Sequence, residues 1–193
     1  MRDYIIMTDS CCDLSQQEVE ELELTVLPLS FTIEGKTLLN TPDHADMSPE
    51  EFFAKIAAGA DCTTAAANVG QFTDAMEKVL QESKDILCVC FSSALSTTYQ
   101  SACIAAEDLR EKYPEAKILV IDSLSASRGQ GMLLYRAVRE RREKNLTIDE
   151  LDAYVRSIIQ SQCHWFIVDD LNHLKRGGRV SSCLLYTSPS PRD

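Results

Sequence analysis

Residues 86–102 read Ile-Leu-Cys-Val-Cys-Phe-Ser-Ser-Ala-Leu-Ser-Thr-Thr-Tyr-Gln-Ser-Ala, and this segment indicates the fold class. Residues 86–91 form a short continuous apolar run with β-branched and aromatic members, which predicts a buried parallel strand. Residues 102–112 have alanine-rich composition and apolar positions at helical spacing, which predicts a helix. The segment between them is therefore a strand-to-helix turn. In an open α/β sheet such turns lie at the carboxyl edge, where ligands bind.

This turn is crowded with hydroxyl groups. It carries six Ser or Thr side chains and no Lys or Arg, namely Ser92, Ser93, Ser96, Thr97, Thr98 and Ser101. The helix that follows offers unpaired backbone N–H groups and the positive end of its dipole, both of which favour an anion. A densely charged polyphosphate would need cations beside it. We therefore expect one small anionic or polar head group, held by neutral donors.

Two other predicted strands end in small polar residues in the same way. Residues 4–8 lead into Asp9 and Ser10, and residues 117–122 lead into the polar segment 122–127. Asp9 and Ser10 either line the same crevice or serve as capping and turn residues. Since strands alternate with helices, we predict an α/β fold with a parallel sheet and helices on both faces. The three junctions would then form one polar cup that suits a carboxylate with a buried tail.

Four other segments are assigned from local pattern. Residues 25–29 are predicted to form one strand, and residues 31–38 a hairpin that turns at an acid-Gly pair. Residues 62–72 are interpreted as a second hydroxyl-bearing connection, which leads into an amphipathic helix. Residues 163–168 are predicted to form a strand.

Composition disfavours several kinds of partner. The chain has 193 residues, 19 Lys and Arg against 30 Asp and Glu, and a net charge of -11. Nucleic acid and anionic membrane surfaces need a basic footprint, so neither is expected as a partner. No apolar run approaches the ~20 residues that a membrane span needs. The eight cysteines lack disulfide-like spacing and no signal peptide is recognised, which indicates a reducing cytoplasm.

The end of the chain differs from everything before it. Residues 183–193 (CLLYTSPSPRD) show no periodicity. We interpret them as a translated sequencing-library adapter, the alternative being a natural flexible tail, and leave them out of the fold. The gene would then continue beyond Ser182. The expected organisation is an α/β domain at 1–160, the start of a second α/β domain at 161–182 and a non-native tail at 183–193.

Five blocks resemble, in order and spacing, the DegV family of fatty-acid-binding proteins. They are IMTDSCCDL (6–14), LPL (27–29), SSALSTTYQSA (92–102), IDSLSASRGQG (121–131) and LKRGGRV (174–180). The resemblance covers residues 1–182, and it implies a two-domain α/β protein that buries a long-chain fatty acid, such as hexadecanoate, between its domains. It further implies that the protein presents this acid to a bacterial fatty-acid kinase, which phosphorylates the carboxylate. On this reading the chain is a cytoplasmic lipid carrier without catalytic residues, cofactor or metal.

The resemblance also implies which side chains bind the ligand. It puts the carboxylate contacts at Thr64 and at Ser96 of the hydroxyl turn, with Thr63 as a competitor for the first position. Thr97 stands where the family commonly has Gly, so a left-handed backbone there would be strained. Arg179 either adds charge at the rim or is an ordinary surface arginine. The expected fatty-acid-binding residues are Thr64, Ser96, Ser93, Thr97 and Arg179.

Other functional classes remain as alternatives. A binder of a small phosphorylated metabolite would use the same sheet edge, although the chain lacks Gly-x-Gly-x-x-Gly and a P-loop Lys. A serine hydrolase is disfavoured because no Gly-x-Ser-x-Gly elbow is present. A metal site is not expected, since Cys88-x-Cys90 lacks the second cysteine pair of a zinc site.

Overall fold

The computed structural model describes residues 2–165, 167 and 171–180. The strands are β1 (Tyr4–Asp9), β2 (Leu24–Leu27), β3 (Leu29–Ile33), β4 (Lys36–Asn40), β5 (Cys62–Ala65), β6 (Asp85–Cys90) and β7 (Ile118–Asp122). The helices are α1 (Gln16–Glu21), α2 (Pro49–Ala57), α3 (Val69–Gln81), α4 (Thr98–Lys112), α5 (Arg128–Lys144), α6 (Ile148–Ile159) and α7 (Leu171–Arg176). Within these described ranges, no helix combines the length and the apolar character that crossing a bilayer requires.

A four-stranded parallel sheet lies at the centre of the fold. Its strand order is β2-β1-β6-β7, and all three neighbouring pairs are parallel. Every residue of β6 is buried, as predicted for the apolar run at residues 86–91. The register places Met7 beside Cys88 and Cys88 beside Val120. Because the strands run in one direction, the polar junctions after β1, β6 and β7 meet at one edge, as the sequence predicted.

Helices cover both faces of this sheet, which confirms the predicted fold class. Successive residues of a strand point to opposite faces, so Leu87 belongs to one core and Cys88 to the other. The first core contains apolar residues of α5 and α6, including Leu133 and Leu151. The second contains residues of α3 and α4, including Phe72. Both helical layers pack against the sheet beneath its carboxyl edge.

A smaller antiparallel sheet has the order β4-β3-β5. The predicted hairpin is confirmed: Glu34 and Gly35, with φ of 51° and 76°, connect β3 to β4, and hairpin turns of this kind use positive φ at both central residues. Two predictions are wrong. Residues 25–29 are not one strand, because Pro28, which has no N–H to donate, separates β2 from β3. Residues 62–65 are not a connection but the strand β5, which pairs with β3.

Helix starts follow local capping signals. The side chains of Ser15, Asn68 and Thr147 each accept a hydrogen bond from the third residue of their helix, whose own side chain accepts from the cap backbone. These capping boxes satisfy N–H groups that have no partner within the helix. Ser48 accepts from the Glu51 N–H, with proline at the first helical position. Capping residues thus fix the starts of α1, α2, α3 and α6, and α3 begins at Val69, inside the connection predicted over 62–72.

The chain divides into two compact units, residues 1–163 and residues 164–193. Both sheets belong to the first unit. In the second, α7 ends at Arg176, and Gly178 follows with φ of 75°. The strand predicted over 163–168 is wrong for its described members, since 163–165 and 167 belong to no strand. The tail predicted over 183–193 lies outside the described residues.

Candidate ligand-binding site

A buried carboxylate joins the first two junctions of the parallel sheet. Oδ2 of Asp9 accepts a hydrogen bond from the Phe91 backbone N–H at 2.7 Å, and Oδ1 accepts from the Cys11 N–H at 3.1 Å. Asp9 is fully buried. Burial raises the pKa of this carboxyl, while the N–H groups of Phe91 and Cys11 act in the opposite direction. Asp9 therefore fixes the end of β1 against the residue that precedes the hydroxyl turn.

A second carboxylate holds the other side of the turn. Oδ1 of Asp122, at the end of β7, accepts hydrogen bonds from the backbone N–H groups of Ser93 and Leu124, both at 3.1 Å. The Ser92 N–H donates to the Ser125 carbonyl at 3.1 Å. The hydroxyl turn is thus anchored to both neighbouring junctions, as expected of a preformed binding site.

A pocket of about 510 Å³ opens at this turn. Its volume lies within the roughly 300–1,000 Å³ usual for small-molecule sites. The turn contributes Ser93, Leu95, Ser96 and Thr97, and the first two turns of α4 contribute Tyr99, Gln100 and Cys103. Three of the five predicted site residues therefore come together in one pocket.

The start of α4 leaves donors free at this pocket. Thr97 is the N-cap residue, but its side chain makes no capping hydrogen bond. Its φ of -80° and ψ of 1° avoid the left-handed region, so this non-glycine residue is unstrained here. Within the described part of the chain, the N–H groups of Tyr99 and Gln100 have no acceptor. Such groups, with the helix dipole, favour an anionic head group.

Sequence reasoning missed part of the pocket wall. Tyr99 and Cys103 lie one helical turn apart, and the Cys103 thiol is the main cause that raises the pKa of Tyr99. The positive charge of Arg156, on α6, acts to lower that pKa. The Arg156 guanidinium donates to the Val120 carbonyl at 3.1 Å and pairs with Asp152 at 2.9 Å. The i, i+4 spacing of Tyr99 and Cys103 was a usable signal, whereas nothing local in the sequence indicated Arg156.

Thr63 and Thr64 lie on opposite faces of the small sheet. Thr64 lies opposite Phe31 in the β3–β5 pairing, and directly opposite residues share a face. The Phe31 ring packs edge-on against Phe52 of α2 at 5.3 Å between centroids. Thr63 lies on the other face opposite Thr32, whose hydroxyl bonds to that of Thr37. Thr64 therefore adjoins an aromatic cluster, and Thr63 a row of threonines.

Two of the predicted residues are not among those that line the pocket in the described part of the chain. Thr64 is exposed on β5 of the first unit. Arg179 is exposed in the second unit, where its backbone N–H donates to the Leu174 carbonyl at 3.0 Å. Contact of these two residues with a ligand stays a prediction, as it does for Ser93, Ser96 and Thr97. Among the described residues, no cluster of three or more His, Cys, Asp or Glu is arranged to hold a metal.

The fold is an α/β fold with a parallel sheet, and its candidate pocket lies at the carboxyl edge of that sheet and is lined in part by hydroxyl groups. The family model described as the uncharacterised DegV family matches residues 4–184. The chain belongs to the DegV family, which confirms the resemblance carried by the five sequence blocks.

Curated relatives are longer than this chain. A DegV domain-containing protein of Clostridium perfringens is 38% identical over 182 residues, which cover 94% of this chain and 62% of the relative. Another, of Lactococcus lactis, is 39% identical over 177 residues, which cover 92% of this chain and 61% of the relative. The chain thus spans about 62% of the length of the curated relatives it matches.

Solved structures share the fold. A fatty-acid-binding DegV family protein from Thermus thermophilus has a TM-score of 0.80 and 30% identity, with 97% of this chain and 64% of that chain covered. A stearic-acid-binding protein from Eubacterium ventriosum has a TM-score of 0.79 and 26% identity, with 93% and 62% covered. Both of these neighbours are proteins that bind a fatty acid.

Proposed function

We propose that this protein binds a long-chain fatty acid and presents it to a fatty-acid kinase, which forms the acyl phosphate. The observation that carries the proposal is the hydroxyl-lined pocket at the start of α4, in a fold whose solved neighbours bind fatty acids. The protein acts as a carrier and catalyses no step itself. Its ligand is the acid alone, without a metal or other cofactor.

The head group is held by neutral donors. Ser96, Ser93 and Thr97 offer hydroxyls at the pocket. The free backbone N–H groups of Tyr99 and Gln100, at the start of α4, are further donors. A hydrogen bond to a charged group contributes about 1.5–3 kcal/mol, so three or four of them hold a carboxylate firmly. None of the described residues that line the pocket is Lys or Arg. Such a site holds the acid without neutralising it, which leaves the carboxylate reactive toward a phosphoryl donor.

The tail supplies most of the binding free energy. Each methylene removed from water contributes about 0.8 kcal/mol, so a sixteen-carbon chain supplies roughly 10 kcal/mol before costs. Leu95 at the pocket and Phe53 on α2 are 40% and 66% exposed. Phe53 extends the cluster of Phe52 and Phe31 beside Thr64, with the Phe52 and Phe53 rings 5.4 Å apart. In this proposal these apolar side chains flank the tail, and Thr64 and Arg179 complete the head-group site.

The remaining wall of the tail cavity belongs to a second domain in this proposal. Residues 1–160 form the first α/β domain, residues 161–182 begin the second, and residues 183–193 are not native. The relatives' greater length is consistent with a gene that continues past Ser182. We place the protein in the cytoplasm, where the described cysteines, all of them free thiols, stay reduced.

The test is the identity of the molecule that copurifies with the full-length protein from bacterial cells. Native mass spectrometry gives the mass of the complex, and solvent extraction releases the ligand for identification. We expect an acid of C14–C18, recovered in smaller amount from Ser96→Ala than from the matched control Ser157→Ala on the exposed face of α6. Recovery of a phosphorylated metabolite instead would favour the alternative binder. Hydrolysis of an ester substrate that is lost in Ser96→Ala would favour a hydrolase.

A further inference from the structure

Behind the pocket, a buried hydroxyl contacts the candidate carboxylate ligand Ser96. Thr98, the first residue of α4, is 0% exposed. Its Oγ1 lies 2.9 Å from Oγ of Ser96, and its backbone N–H donates to the same Oγ at 3.2 Å. Ser96 is half-buried and lines the pocket. The Thr98 side chain lies behind Ser96 and outside the pocket lining.

The burial of Thr98 decides which hydroxyl donates. Within the described part of the chain, Oγ1 of Thr98 has no hydrogen-bond partner except Ser96. If Ser96 donated, the Thr98 proton would be buried without an acceptor, which carries a desolvation penalty. If Thr98 donates, its proton is satisfied, and the Ser96 proton turns to the pocket, where solvent or ligand accepts it. The second arrangement is therefore the stable one.

This direction of bonding restricts what Ser96 does to a ligand. A hydroxyl has one donor and two acceptor lone pairs, and the Thr98 N–H and O–H occupy both lone pairs. We propose that Thr98 is a positioning residue that makes Ser96 a donor only, and thereby selects an acceptor head group such as an ionised carboxylate. The inference rests on the proposed fatty-acid function and adds a source of head-group specificity to it.

The experiment compares two ligands with the same tail in the full-length protein. Palmitate and hexadecanol each displace a fluorescent fatty acid from wild type and from Thr98→Val, which keeps the shape and removes the hydroxyl. The matched control is Thr73→Val on α3, where the lost hydroxyl donates only to a helix carbonyl. We expect Thr98→Val to lower the affinity for palmitate about tenfold, equivalent to about 1.4 kcal/mol. The hydroxyl of hexadecanol also accepts a hydrogen bond, but one about half as strong as that of a carboxylate, so its binding should weaken by only about threefold. Thr98→Ser should restore palmitate binding.

Other outcomes contradict the inference. Equal losses for palmitate and hexadecanol would mean that Thr98 supports packing only. If Thr98→Val binds palmitate with an affinity within twofold of that of Thr73→Val, the Ser96 hydroxyl needs no positioning. If Thr98→Val does not fold, Thr98→Ser and Thr98→Ala are compared in its place, and equal palmitate affinities of these two overturn the inference. Wild type that fails to bind palmitate refutes the proposed function itself, which separates the two failures.

Discussion

The Asp9 carboxyl group at the end of β1 accepts a hydrogen bond from the backbone N–H of Phe91, which lies 2.7 Å away and directly follows β6. The hydroxyl turn begins at the next residue. Asp9 also accepts from the Cys11 N–H and is fully buried. This buried carboxyl group thus sets where the pocket starts, and its loss leaves a backbone N–H without its acceptor.

Asp9→Asn tests this relationship. An amide offers one acceptor oxygen where the carboxylate offers two, so either the Phe91 or the Cys11 N–H loses its bond. We expect the free energy of unfolding to fall by about 1–3 kcal/mol, as for a buried donor left unsatisfied. Urea denaturation measures the change, with the exposed Asp61→Asn as control. Equal denaturation midpoints for the two variants would contradict the assigned role.

Glu18 gives a pH-dependent prediction. Its carboxylate accepts two hydrogen bonds of 2.8 Å from the Arg128 guanidinium and one from the Ser15 N–H. These bonds, the Arg128 bonds first, lower the pKa of Glu18 to about 2. Because the folded pKa lies below the unfolded value of 4.5, the stabilisation is present above pH 4.5 and is lost as the pH falls toward 2.

The stability of Glu18→Gln relative to wild type, measured by urea denaturation across this pH range, checks the prediction. The difference should be largest above pH 4.5 and should shrink toward pH 2. Glu111→Gln, an exposed glutamate on α4, is the control and should show no such trend. A difference between Glu18→Gln and wild type that does not vary with pH would rule out the ionised contact.

Gly131 marks a close approach between α5 and the loop after β1. A Cβ added there would lie 2.8 Å from the Cys12 carbonyl oxygen and 2.9 Å from a Leu14 methyl group. Gly131→Ala should therefore destabilise the protein by about 1–3 kcal/mol, as overpacking does. Thermal unfolding measures this against Gly70→Ala on α3, where the added Cβ meets only the Asn68 side chain at 3.3 Å. A Gly131→Ala variant as stable as the control would mean that the loop with Cys12 and Leu14 moves to accommodate the added Cβ without loss of stability.

The small sheet predicts different roles for two adjacent threonines. Thr64 shares a face with Phe31, and Thr63 shares the opposite face with Thr32. If Thr64 binds the carboxylate, Thr64→Val should weaken palmitate binding by the full-length protein about tenfold, equivalent to about 1.4 kcal/mol. Thr63→Val should leave it unchanged. Fluorescent displacement measures both, and the reverse order of effects would assign the contact to Thr63.

The buried strands of the parallel sheet could be predicted from the sequence, whereas the exposed strand β5 could not. The continuous apolar run of β6 and the polar residues after β1, β6 and β7 were visible because each strand is buried on both faces. β5 was missed because Cys62–Ala65 is half-buried at its first residue and exposed at the other three. It is a strand through its pairing with β3, a contact between distant parts of the chain.

The site residues that lie within one turn could be predicted from the sequence, whereas contacts that depend on side-chain geometry or on another helix could not. Ser93, Ser96 and Thr97 come together because they occupy one short turn, which any fold would keep close. Thr98 was counted only as another hydroxyl of that turn, because its bond to Ser96 depends on side-chain geometry. Arg156 acts on Tyr99 from a different helix, and no spacing within the sequence connects these residues.

The proposed function depends above all on one contact, in which the Ser96 hydroxyl, at the start of α4, holds the carboxylate of a fatty acid. Calorimetric titration of palmitate into the full-length protein measures this contact. Wild type and Ser157→Ala should bind palmitate equally, and Ser96→Ala should bind it about tenfold more weakly, a loss of about 1.4 kcal/mol. Wild type that binds no palmitate, or Ser96→Ala with wild-type affinity, would contradict this proposal.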